Sequence, residues 1–319
     1  METGLSQQIP AADREAIMTG YVRALRPEHW IKNLVVLAAF FFALGDAHQA
    51  PKLQPLFFSA TGILTAAILF CIISSGIYIF NDIRDCALDR AHPLKKMRPI
   101  AAGLVPISHA WFMSVALLCG GLAGSYFLSK PLALIMSSYV LLQVGYSLGL
   151  KKIAMVDVLF IATGFVLRAL AGAVVLTVTI SPWLVLCTFL LALFLGFCKR
   201  RHEKSCVADE GSENRPSLAN YDERLLDQVI SISAAATIVS YSVYTLSPDT
   251  VQKFGSAGLG FSIPFVIFGI FRYLDLVYRH EKGNKPERLL LTDKPLLASV
   301  LLFSLVVVFF ALRLPRFIF

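Results

Sequence analysis

Asn81-Asp82-Ile83-Arg84-Asp85-Cys86-Ala87-Leu88-Asp89 closes an apolar run, Leu56 to Phe80, that holds no charged residue. A run of that length exceeds the roughly 20 residues needed to cross a bilayer as a helix. Carboxylates at the edge of such a span are costly to desolvate and rarely lie there without a role. At about 100° per residue, Asp82, Asp85 and Asp89 fall on one helical face with Asn81 beside them, while Arg84 points elsewhere. Tyr78 and Ser75 continue that face into the span as a polar seam. Three carboxylates and an amide on one stripe repel one another unless a cation joins them. Oxygen-only ligands favour a hard ion, and Mg²⁺ held by one or two carboxylates completes its shell with phosphate oxygens. The stripe therefore predicts a membrane enzyme acting on a phosphorylated compound.

Apolar runs recur along the chain. Nine are read, at about 31–45, 56–80, 107–128, 131–149, 154–178, 182–198, 227–247, 259–278 and 295–313, the first being short. Hydrophobic residues make up 56% of the chain and charged residues 16%, against about 25% charged in soluble domains. The expected fold is all-α: a polytopic membrane protein of nine transmembrane helices around a central cavity. Residues 1–26 are expected as a cytosolic N-terminal segment and 27–319 as a single catalytic domain. Residues 1–20 lack an apolar core followed by small residues, so no cleavable leader is expected. Residues 11–26 could form a short amphipathic helix on the membrane surface.

Charge sets the orientation. Lys52, Lys130, Lys253, Arg313 and Arg316 fall on one side of the nine spans, and Arg168 lies within the fifth. All the other lysines and arginines, of 29 in total, fall on the opposite side. The positive-inside rule places that second side, with the N-terminus and the large loops at 81–106 and 199–226, in the cytosol of a cell-membrane protein. The two loops carry most of the polar information, so an active site is expected where they meet. A formal charge of +8 could suggest nucleic acid. Its basic residues lie in juxtamembrane loops, however, which points to anionic headgroups and phosphorylated substrates. The six cysteines show no CxxC pairing and sit mostly in apolar spans, so no zinc or disulfide framework is implied. Nothing in the sequence fixes an oligomeric state.

Downstream of the stripe, Arg90 to Gly103 forms a basic turn stiffened by Pro93 and Pro99. Lys95 and Arg98 there could bind phosphate or serve as ordinary cytosolic charge. Asn-Asp-x-x-Asp-x-x-x-Asp followed by Arg-Pro-x-x-x-Gly resembles the first aspartate-rich motif of the UbiA superfamily of intramembrane prenyltransferases. Within it, the chain most resembles decaprenyl-phosphate phosphoribosyltransferases, on His29–Asn33, Asn81–Pro106, Tyr146–Lys151, Phe165–Gly172, Lys199–Glu203 and Arg272-Tyr273. That resemblance implies nine spans, a cytosol-facing site, and Mg²⁺ on a diphosphate. It assigns the metal to Asp82, Asp85 and Asn81, with Asp89 completing the catalytic acidic set. Substrate contacts are expected from Lys32, Tyr78, Lys95, Arg98, Tyr146, Lys151, Arg168, Lys199, Arg200, Arg201 and Glu203.

The second site departs from the family pattern. Typical members carry Asp-x-x-x-Asp after the sixth span, where this chain has Lys199-Arg200-Arg201-His202-Glu203-Lys204. Asp222 and Asp227 are five apart and further downstream, so a second metal site is not expected. A basic cluster would hold an anion directly, by charge-assisted contacts. Phosphoribosyl diphosphate carries a diphosphate at one end and a phosphate at the other, and so suits one acidic and one basic wall. The implied reaction moves 5-phosphoribose from that donor to a polyprenyl phosphate. An alternative keeps the fold and transfers a prenyl group from a prenyl diphosphate to a small acceptor. A transporter would spread charge over both halves of the membrane, unlike this chain. Arg168 inside its span must find a partner. It could hold a phosphate, order a lipid pocket or act as a hydrogen-bond hub, and Asp157 lies too far along the helix to pair with it. His29, His92 and His202 read as polar rim groups.

Overall fold

The apolar runs become helices in the computed structural model, which describes residues 11–46, 49–210, 218, 220–279, 289–290 and 292–311. Every regular element among them is helical. In order they are α1 (Ala11–Ala24), a 3₁₀ segment (Pro27–Leu37), α2 (Ala38–Gly45), α3 (Leu56–Ala91), α4 (Ile107–Leu128) and α5 (Lys130–Leu148). Then follow α6 (Val156–Leu176), α7 (Pro182–Glu210), α8 (Glu223–Leu246), α9 (Pro248–Phe254), α10 (Ile263–Arg279) and α11 (Lys294–Ala311). Among the described residues, eight stretches are long and apolar enough to cross a membrane, and a further apolar helix, Lys294–Phe310, is shorter. The expected leader-free residues 1–10 and the minority-side Arg313 and Arg316 lie outside the described residues.

Three local expectations are corrected. The first span is not one α-helix from 31 to 45. Pro27 follows Arg26, whose φ is +52°, and a residue before proline is pushed out of the α region. The chain then winds as a 3₁₀ segment to Leu37 before α2 begins. Residues 11–24 are helical, but their apolar residues do not gather on one side, so the amphipathic reading fails. Finally, much of the two polar loops is helix. α3 continues past Phe80 to Ala91, and α7 continues past Cys198 to Glu210. Both extensions lack the helix breakers proline and glycine.

The chain divides into two compact units, one of residues 1–32 and 69–124, the other of 33–68 and 125–319. In the first, Ala24, Ile79, Cys86, Ile100, Val105 and Ala110 form a buried cluster, so α1 is packed in rather than free. α4 approaches α3 closely at Gly121, where a Cβ would press to 2.5 Å from Ile73. Ser114 Oγ donates to the Gly76 carbonyl at 2.8 Å on the same seam.

In the second unit α7 packs along α6 and α8, α5 lies on α6, and α10 on α11. Phe194, Cys198, Leu226, Ile230, Tyr273 and Leu276 are among the buried residues of its main cluster. Gly172 of α6 meets the Val36 carbonyl so closely that a side chain there has no room. That contact seats the 3₁₀ segment on α6. At the other end of α2, Gln49 Nε2 donates to the Thr179 carbonyl at 3.1 Å and Gln49 Oε1 accepts from the Thr179 amide at 2.6 Å.

Candidate active site

In the first unit, α3 places Asp82 and Asp89 on a buried face and leaves Arg84 exposed, as the helical spacing predicts. Asp85 is half-buried and accepts from Asn81 Nδ2 at 3.0 Å, one turn away. Arg98 joins the other two. Its Nη1 lies 2.6 Å from Asp89 Oδ2 and 3.3 Å from Asp82 Oδ1. The expected phosphate ligand is thus seated between the carboxylates, on the turn that follows their own helix. Asp82 Oδ1 also accepts from Arg26 Nη2 at 2.5 Å. The Arg26 guanidinium stands 5.3 Å from the Tyr78 ring centroid, within cation–π reach. Tyr78 meets the His29 ring, Trp30 Nε1 donates to Ser75 Oγ, and Ser75 Oγ donates to the Leu25 carbonyl. The polar seam inside the span is therefore where the N-terminal residues dock. Lys95 is half-buried, and its amide donates to His92 Nδ1. Lys32 is half-buried in the same unit.

In the second unit, Arg200 is almost wholly enclosed. Its Nε donates to Asp157 Oδ2 at 2.7 Å and its Nη1 to Glu203 Oε2 at 2.5 Å. Asp157 Oδ1 also accepts from the Tyr221 hydroxyl at 2.6 Å, and the Met155 amide donates to that same hydroxyl. Burial, and after it the bond to Asp157, holds the Tyr221 phenol well above the usual tyrosine range. Met155 has φ +66° and ψ −45°, and the Val156 amide donates to the Ala154 carbonyl at 2.9 Å. This is a γ-turn of the strained, φ-positive kind, and it aims the first turn of α6 at Arg200. Lys199 reaches Glu203 at 3.8 Å, and Arg201 pairs with Asp227 at 3.0 Å and Glu223 at 3.7 Å. Tyr146 lies within electrostatic reach of Arg200, and Lys151 is half-buried at the turn after α5.

The expected basic wall thus already holds its own counter-charges. Arg200 is the most enclosed, whereas Lys199 keeps 38% of its side-chain surface and Arg201 keeps 22%. Asp222 does not join them; it caps α8 by accepting from the Leu225 amide.

Arg168 is a hydrogen-bond hub. Its Nε donates to Asn33 Oδ1 at 2.8 Å, Nη1 to the Gly164 carbonyl at 2.9 Å and Nη2 to the Tyr139 hydroxyl at 2.8 Å. Each of the three nitrogens is engaged by protein, which ties the 3₁₀ segment, α5 and α6 together. Sequence reasoning gave no site role to Arg26, Asp157, Tyr221, Asn33 or Tyr139. Asp157 offered a signal, as an acidic residue at the edge of an apolar span. Arg26 offered another, as a charge directly before proline.

Among the described residues no three His, Cys, Asp or Glu side chains gather closely enough to enclose a metal. The oxygens of Asp82 and Asp89 nonetheless converge on one cationic nitrogen. An ion there would have one or two carboxylates from the protein and the rest of its shell from elsewhere, which is how Mg²⁺ is held in phosphate-handling sites. The donor set fits that ion.

Spanning-length helices with carboxylates and guanidiniums gathered at their ends define a multi-pass membrane enzyme. The chain belongs to the UbiA prenyltransferase family, whose model matches residues 33–294. It is 36% identical over 242 residues to the decaprenyl-phosphate phosphoribosyltransferase of Mycolicibacterium smegmatis, covering 76% of this chain and 75% of that one. It is 34% identical over 302 residues to the Corynebacterium glutamicum protein of the same name, covering 93% and 88%. A UbiA homologue from Archaeoglobus fulgidus, solved bound to GPP and Mg²⁺, superposes with a TM-score of 0.67 over 92% of this chain and 99% of that one. At 19% sequence identity that likeness is one of fold alone.

Proposed function

We propose that this protein transfers 5-phosphoribose from phosphoribosyl diphosphate to a polyprenyl phosphate and releases diphosphate. The observation that carries the reading is the likeness, over most of both chains, to the two decaprenyl-phosphate phosphoribosyltransferases. The replacement of a second aspartate motif by Lys199-Arg200-Arg201 supports it, because a donor phosphorylated at both ends needs a basic subsite as well as an acidic one.

In the reaction the bond from the anomeric carbon to the diphosphate oxygen breaks, and a bond from that carbon to a lipid phosphate oxygen forms. The lipid phosphate is already an anion, so no general base is required. Asp82 and Asp85 would hold Mg²⁺, with Asn81 orienting Asp85 and Asp89 completing the acidic face. Mg²⁺, when bound, neutralises the leaving diphosphate and so favours an oxocarbenium-like transition state at the sugar. Asn81 fixes the Asp85 carboxylate by its 3.0 Å bond. Arg26 holds Asp82 in place through its short bond to Oδ1. In the unit that carries the aspartates, Lys32, Lys95 and the Tyr78 hydroxyl serve as phosphate contacts; in the other, Lys199 and Arg201, both partly exposed, do so with Lys151 and the Tyr146 hydroxyl. Arg200 holds Glu203, whose carboxylate remains partly open. We place the N-terminus and this chemistry on the cytosolic side of the cell membrane, on the strength of the charge bias between loops.

Purified protein with Mg²⁺, phosphoribosyl diphosphate and a polyprenyl phosphate is expected to form a ribosylated lipid and release diphosphate. Turnover with a prenyl diphosphate and a small acceptor, and none with phosphoribosyl diphosphate, would sink the reading in favour of prenyl transfer.

A further inference from the structure

Each unit contains an arginine that bridges two carboxylates, and the two bridges differ in kind. Arg200 lies between Asp157 and Glu203 with 1% of its side chain exposed, and both contacts are short. Arg98 lies between Asp82 and Asp89 with 28% exposed, and one contact is loose at 3.3 Å. Asp82 has a second, tighter cation in Arg26.

Asp82, Asp85 and Asp89 together carry three negative charges, and Arg26 and Arg98 neutralise two of them. Adding a divalent ion without losing a guanidinium would leave the group one positive charge in excess, and Arg98 already occupies Oδ1 of Asp82 and Oδ2 of Asp89. Unpaired charge beside buried carboxylates costs several kcal/mol per ion. One arginine must therefore leave as the metal enters. Arg26 is held from two sides, by its short bond to Asp82 and by the Tyr78 ring. Arg98 is the more exposed. Its backbone is fixed separately, its amide donating to Lys95 O at 2.9 Å and its carbonyl accepting from the Ala102 amide at 2.8 Å. Its side chain can swing without moving the turn.

We propose that Arg98 is an exchangeable counter-ion: it neutralises the Asp82–Asp89 pair before the metal binds, and once displaced it takes an oxygen of the incoming diphosphate. The inference rests on the metal role given above to the aspartate stripe. It makes loading ordered, because the guanidinium is free for the donor only when the metal has taken its place. Arg200 makes no such exchange, its enclosed bridge being a permanent cation.

The test is metal binding without substrate, with Mn²⁺ as the probe, by calorimetry or by electron paramagnetic resonance on the full-length protein in detergent. Arg98→Gln removes the competitor. Since a charge-assisted hydrogen bond contributes on the order of 1.5–3 kcal/mol, Mn²⁺ is expected to bind roughly tenfold or more tightly to this variant. Diphosphate should then strengthen metal binding in the wild type by a larger factor than in Arg98→Gln. Arg98→Lys, which keeps the charge and the fold of the turn, should bind Mn²⁺ no more than a few-fold more tightly than wild type. Equal or weaker Mn²⁺ binding in Arg98→Gln overturns the exchange while leaving the metal reading intact. An Asp82→Asn variant that binds Mn²⁺ as well as wild type overturns the metal reading itself, and the exchange with it.

Discussion

The Arg200 Nε lies 2.7 Å from Asp157 Oδ2, and neither side chain keeps more than 1% of its surface. Breaking one side of such a pair strands a buried charge, whereas replacing both with apolar groups need not. Arg200→Met is expected to destabilise the fold by about 3–5 kcal/mol. The double variant Arg200→Met with Asp157→Leu should lose clearly less than the sum of the two single changes. Unfolding midpoints in one detergent, arranged as a double-mutant cycle, measure the difference.

Tyr221 completes that network. Tyr221→Phe leaves Asp157 and the Met155 amide each short of a bond and should cost about 1–3 kcal/mol. The raised ionisation of the phenol fixes the sign of its pH dependence. The unfolded chain releases the proton near pH 10 and the folded one only at higher pH, so the contribution is complete below about pH 10 and lost above it. Stability measured from pH 8 upward should therefore fall less steeply in Tyr221→Phe than in wild type.

Asp82→Asn and Asp85→Asn are each expected to lower turnover by about 10²–10³-fold or more, the scale on which loss of one electrostatic contact to a developing charge is felt. Chelation should abolish activity, and Mg²⁺ should restore it better than Ca²⁺, which favours more ligands at longer distances. Diphosphate release reports both. Variants that turn over normally would detach the stripe from the chemistry.

Arg168 was expected among the substrate contacts, yet Asn33, Gly164 and Tyr139 engage all three of its nitrogens. Arg168→Lys cannot reproduce that planar fork. The variant should lose about 1–3 kcal/mol of stability through the lost bonds to Asn33 and Tyr139, while the KM for either substrate stays unchanged. A raised KM with full stability would give Arg168 back to the substrate.

The helices were readable because a span needs a long apolar run, and such runs announce their own length. The aspartate stripe was readable because three carboxylates at i, i+3 and i+7 define a face without any tertiary knowledge. Partners were harder. The Arg26–Asp82 bond joins residues 56 positions apart, and the Arg168–Asn33 bond joins residues 135 apart, so no local pattern could pair them. The basic run at Lys199–Arg201 misled in one respect. A string of like charges reads as an open anion site until Asp157, Glu203, Glu223 and Asp227 are found against it. The 3₁₀ start of the first span was hidden because an apolar run announces its length and not its winding.

The length of α3 has a further consequence. Thirty-six residues rise about 54 Å at 1.5 Å each, and hydrocarbon accounts for only about 30 Å of that. With the apolar run of Leu56 to Phe80 in the hydrocarbon, the residues beyond Phe80 would stand clear of the acyl chains, at the altitude of the lipid headgroups. A long-tailed acceptor would need no lifting out of the bilayer and a water-soluble donor no descent into it. On that reading the helix would work as a measuring rod, setting the reaction at a depth that both reactants reach unaided.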